Sequence, residues 1–207
     1  MGFSTIMDVI GSFIIGGLLL LILWKIDDAS VANLFNNGEE LILQQNLATT
    51  AMVLENDFRK IGYCSDWNKM PAPSKAILYA DSTSIKFLTD INDDGNVDTL
   101  YYYLGPTSEL LSTPNPNDRF LYRVVNNEVP RGVNLGVTQF KMVYFDPLGD
   151  TLFCPIIHPT SISSIEINIS VENVVGYGGS SQDEQKNKYS SAFWRQIRLA
   201  ARNLGNR

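Results

Sequence analysis

Between Val9 and Trp24 the chain runs VIGSFIIGGLLLLILW, sixteen residues without a charge. With the residues from Phe3 to Met7 ahead of it, interrupted only by Asp8, this makes about twenty mostly apolar positions, the length that crosses a bilayer core as a helix. A cleaved signal peptide wants a basic stretch before the apolar run and small residues at its end. Met1 to Thr5 hold no Lys or Arg, and the run exits through LWKIDDAS. Trp24 and Lys25 suit the lipid–water boundary instead. We therefore expect a membrane anchor over residues 1–26. Lys25, offset by Asp27 and Asp28, does not set its orientation by charge. Asp8 stands out, because a carboxylate at the start of a span is costly and points to a partner or to the headgroup layer.

Past the anchor, NNG at 36–38 predicts a loosened stretch. Leu43, Leu47, Ala51, Leu54, Phe58 and Ile61 then step by three and four, which places them on one helical stripe over 27–62, with Gly62 as the stop. The remainder, 63–207, reads as a β-rich head. AILYA (76–80), SIKFL (84–88), TLYYYL (99–104), RFLYRVV (119–125), VTQFKMVYF (137–145), TLFC (151–154) and SSIEINISVENVV (163–175) are strand-like runs bounded by Gly, Pro, Asn and Asp. A polar Gly/Ser loop (175–191) precedes a closing segment whose alternation favours a strand. The expected class is α+β: a transmembrane helix continuing into an amphipathic helix packed on an antiparallel sheet.

Three stretches resemble type IV pilin-like minor pilins of the PilW type and J-type pseudopilins of type II secretion. MVLENDFRKIGYC (52–64) resembles the LxxDxRxxGY stretch that ends their long helix, LTDINDDGNVDTLYYYL (88–104) their Asp/Asn/Gly loop and strand, and FWRQIRLAARNL (193–204) their closing strand. The resemblance implies a structural subunit of a type IV pilus or a type II secretion pseudopilus. Its partners would be other such subunits through the N-terminal helix, the inner membrane, and prepilin peptidase acting between Gly2 and Phe3. The family carries Glu at the fifth mature position; counted from Phe3, the acid here is Asp8, at the sixth. Asp8 would then neutralise the amino terminus of Phe3 in a neighbouring subunit. The other reading of the same sequence is a membrane-tethered, monomeric calcium-binding or adhesive module.

DINDDG (90–95) matches the opening of an EF-type calcium loop. In that reading Asp90, Asn92 and Asp94 supply side-chain oxygens, Asn96 its carbonyl and Asp98 the ninth position, holding a structural calcium. The twelfth position is Tyr101 and not Glu, and strands flank the loop, so this is no EF-hand. The competing reading is a hairpin turn whose Asp and Asn side chains cap backbone amides. Cys64 and Cys154 would most simply pair as a disulfide if the head is exported. Together with the acidic loop they favour an exterior head.

Composition argues against other classes. The net charge is −6, and the basic residues Arg195, Arg198, Arg202 and Arg207 are interleaved with apolar ones, so no nucleic-acid partner is expected. The single histidine, His158, lies between prolines in PIIHPTS, and no G-x-S-x-G, H-E-x-x-H or phosphate-binding loop is present. We expect no catalytic residues and no enzyme.

Overall fold

In the computed structural model, which describes residues 2–70, 72–173, 189 and 191–199, the chain is α+β and falls into two compact units, 1–41 and 42–207. The 175–188 part of the polar loop, and Arg202 and Arg207 of the basic segment, lie outside the described residues.

One helix, α1, runs unbroken from Gly2 to Arg59, 58 residues. The loosening expected at 36–38 does not occur. A single interior Gly costs about 1 kcal/mol, and an established helix propagates through it because each residue added gains a hydrogen bond. Up to Trp24 the helix is mostly apolar and exposed: Phe3, Phe13, Leu20 and Trp24 are all at least two-thirds exposed. It is long and apolar enough to cross a membrane.

In the second unit, Leu43, Ala51, Leu54 and Phe58 are buried. The helix ends three residues before Gly62, through tight turns from Lys60 N–H to Asp57 and Ile61 N–H to Phe58. Gly62 then takes φ +70°, and a Cβ there would lie 3.1 Å from the Pro73 carbonyl oxygen. Glycine is needed both for the left-handed backbone and for the close approach.

The head holds two antiparallel sheets where a single sheet was expected. The first is a meander of β1 (Ile77–Ala80), β2 (Ser84–Thr89), β3 (Asp98–Leu104), β4 (Leu121–Val125) and β5 (Gly132–Val133). The second comprises β6 (Val137–Phe145), β7 (Thr151–Leu152), β8 (Ser164–Glu172) and β9 (Ser191–Leu199), ordered β7-β6-β8-β9. The described part of the closing segment, Ser191–Leu199, is thus a strand. Period-two alternation aims Ile85, Phe87, Leu100 and Tyr102 from the first sheet, and Phe140, Met142, Ile165, Ile167 and Ile169 from the second, into one core with Leu54, Phe58 and Ile61. Phe58 meets Phe87 edge-on at 5.5 Å and Tyr102 at 5.7 Å, and Tyr102 meets Phe140 at 6.4 Å. Single backbone bonds join the sheets, from Met142 N–H to Ser82 and from Arg119 N–H to Val137.

Candidate functional site

The acidic loop between β2 and β3 is built around Asp90, which has no exposed surface. Its Oδ2 accepts the N–H groups of Ser65 (3.0 Å) and Gly95 (2.9 Å), and its Oδ1 accepts that of Asp94 (3.1 Å). Burial pushes the Asp90 carboxyl up, but the amides of Ser65, Gly95 and Asp94 together outweigh it and hold the group below the ordinary carboxylate range. The turn that aims these amides inward needs left-handed backbone at Asp93 (φ 59°) and Gly95 (φ 78°). Asp94 is held low by the Asn96 N–H and then by the Asn92 amide.

The remaining expected ligands point elsewhere. Asp98 accepts Ile91 N–H through Oδ2 and the Asn126 amide through Oδ1, which ties the loop to the turn after β4. The Asn96 side chain accepts from Lys69 Nζ at 2.8 Å. In the structure the side chains of Asp90, Asn92, Asp94 and Asp98 are engaged in hydrogen bonds within the loop or to its neighbours, and Asn96, expected to offer its backbone carbonyl, uses its side chain to accept from Lys69. Among the described residues, no three of His, Cys, Asp and Glu stand together as metal ligands. The crowded negative charge is met by two lysines instead: Lys60 Nζ lies 3.1 Å from Asp93, and Lys69 holds Asn96. The Asp and Asn side chains cap backbone amides, as a polar turn requires.

What the loop does mechanically follows from its bonds. Gly62 N–H donates to Leu88, Asp90 N–H to Tyr63, and the Thr89 hydroxyl to Lys60. The exit of α1 is thus laced, residue by residue, to the end of β2.

A second polar knot was not foreseen. Asp57, 5% exposed, accepts from Tyr102 Oη at 2.6 Å and Arg123 Nε at 2.7 Å. Burial and the Asp57 carboxylate push the Tyr102 hydroxyl well above the ordinary phenol range. Burial opposes the Arg123 charge, but the hydrogen bonds and charges of Asp57 and Tyr102 together outweigh it and raise the guanidinium further. The signal was present in sequence, since Asp57 sits on the same stripe as Leu54 and Phe58, and a carboxylate on an apolar face demands a buried partner.

The expected disulfide is not formed. Cys64 is a buried free thiol whose Sγ lies 3.9 Å from Asp90, while Cys154 is exposed, beyond β7. Cys154 lies near enough to Asp81, at the β1–β2 turn, for that charge to raise its thiol after burial has done so. The two cysteines belong to different sites because one follows α1 and the other follows an edge strand of the second sheet.

At the N-terminus, Gly2, Phe3 and Asp8 all lie within α1. Ser12 Oγ donates to the Asp8 backbone carbonyl at 2.8 Å. The Asp8 carboxylate itself is exposed and has no partner among the described residues. His158 is an exposed loop residue that opens a short 3-10 turn.

No family model, curated protein or solved structure matches this chain.

Proposed function

We propose that the chain is a pilin-like subunit, a non-enzymatic structural component of a type IV pilus or a type II secretion pseudopilus, with its head exported. The observation that carries this reading lies in the first unit: an exposed, apolar stretch of α1 up to Trp24 that is interrupted by one carboxylate, Asp8, unpartnered among the described residues. Such a helix needs lipid or other apolar helices around it. A buried or lipid-facing carboxylate needs a cation, and the amino terminus of Phe3 in a second subunit is one of the right charge. The α+β head with its antiparallel sheets is compatible with this plan.

Intact mass and N-terminal sequencing of the membrane-extracted protein test the reading. A chain that starts at Phe3 supports it. In vivo cross-linking then compares wild type with Asp8→Ala, which should remain in the membrane as a stable monomer but lose filament or complex incorporation. A chain still starting at Met1, or an Asp8→Ala protein that assembles normally, overturns it in favour of a monomeric tethered module.

A further inference from the structure

The loop between β3 and β4 carries STPNPND (112–118), and there the structure leaves a charge unanswered. Asp118 is 1% exposed, and neither of its carboxylate oxygens has a hydrogen-bond partner. The one donor close by, the Thr113 hydroxyl, is turned to the carbonyl oxygens of Leu110 and Asn115. The Glu172 carboxylate, at the end of β8, is close enough for its charge to raise the Asp118 carboxyl after burial has done so. Neither acid forms an ion pair among the described residues. Isolating a carboxylate from water without donors costs several kcal/mol, and a second carboxylate alongside increases the cost.

The surroundings are organised all the same. Asn115, fully buried between Pro114 and Pro116, donates through Nδ2 to Glu172 Oε2 at 3.0 Å and to the Asn173 carbonyl at 3.2 Å. Its Oδ1 accepts the Asn117 N–H at 2.9 Å, and the Asn117 amide also reaches Glu172 Oε2, at 3.4 Å. Both amides thus serve one oxygen of Glu172, Oε2, while neither oxygen of the buried Asp118 carboxylate has a hydrogen-bond partner.

We propose that Asp118 and Glu172 hold a divalent cation of the calcium class, with the Thr113 hydroxyl and water completing the shell. Two carboxylates balance the double charge. The set contains only oxygen and no His, Cys or Met, which selects a hard cation. An irregular, loop-borne set suits calcium better than the strict octahedron of magnesium. Glu172 is half-buried, so the ion has a way in. The ion would staple the β3–β4 loop of the first sheet to the end of β8 in the second. This site is separate from the acidic loop around Asp90 and does not depend on how the N-terminal helix assembles.

The test uses the full chain in detergent micelles, stripped with EDTA and then titrated with calcium, reading Tm and terbium luminescence. Terbium is excited through tyrosine, and Tyr189 is close by, with its hydroxyl 2.6 Å from the Pro114 carbonyl. With few protein ligands, a Kd of about 10⁻⁴ to 10⁻³ M is expected, and saturating calcium should raise Tm by about 5 °C or more. Asp118→Asn and Glu172→Gln should each weaken binding at least tenfold, whereas Asp94→Asn, in the acidic loop, should leave it intact. Glu172→Gln decides the matter if Asp118→Asn does not fold. The proposal is overturned if about 10 mM calcium leaves the wild-type Tm unchanged. It is equally overturned if the shift survives Glu172→Gln or disappears in Asp94→Asn.

Discussion

Replacing Asp90 by Asn changes one oxygen of a buried carboxylate to an amide. If the Asn oxygen keeps the Oδ2 position, the Ser65 and Gly95 amides retain an acceptor, but a neutral one. The new NH₂ group then faces the Asp94 N–H, donor against donor. Hydrogen bonds to a charged group contribute about 1.5–3 kcal/mol and neutral ones about 1. One lost bond and two weakened ones therefore sum to about 3–4 kcal/mol. For a chain of this size that is about 10 °C in Tm. Thermal unfolding in detergent micelles with EDTA, followed by near-ultraviolet circular dichroism, reads the change with every metal site emptied. The control is Asp93→Asn, which removes only the surface pair with Lys60 and should cost less than 1 kcal/mol. The pH dependence has a definite sign. The folded pKa of Asp90 lies below its unfolded value, so its contribution is fully present above about pH 4. It is lost as pH falls through the lower folded value, and the gap between wild type and Asp90→Asn should close over that window. A gap under 1 kcal/mol at neutral pH, or one that widens on acidification, would refute the assignment of Asp90 as the acceptor that laces helix exit to loop.

Two further outcomes follow from the same geometry. Tyr102→Phe removes one of the two donors to Oδ2 of buried Asp57 and should cost about 2 kcal/mol by urea unfolding; an unchanged midpoint would show that Arg123 alone satisfies that oxygen. Maleimide applied to native, unreduced protein should label Cys154 and spare buried Cys64, with both labelled after denaturation; labelling that requires a reductant would restore the disulfide.

Much of the architecture is written locally. The apolar run of residues 9–24 fixes a helix that water cannot solvate, whatever the head does, because sixteen uncharged, mostly apolar residues in sequence leave no polar face. The three-and-four spacing from Leu43 to Ile61 and the alternation in β3, β6 and β8 mark which side chains enter the core, since those periods are properties of the backbone. The DINDDG run likewise announces a tight polar turn, because Gly, Asn and Asp adopt the left-handed steps seen at positions 93 and 95 most readily.

What the sequence left open concerns what lies across the fold. Whether the acidic loop gathers an ion or caps amides depends on Ser65, Lys60 and Lys69, which approach only once α1 has docked against the end of β2. The separation of Cys64 from Cys154, the division of the strands into two sheets, and the Asp57–Tyr102–Arg123 knot are likewise set by long-range pairing. The meeting of Asp118 with Glu172, 54 residues apart (172 − 118), has no local signature at all. A carboxylate's chemistry is decided by the donors and charges around it, and only the tertiary structure puts those in place.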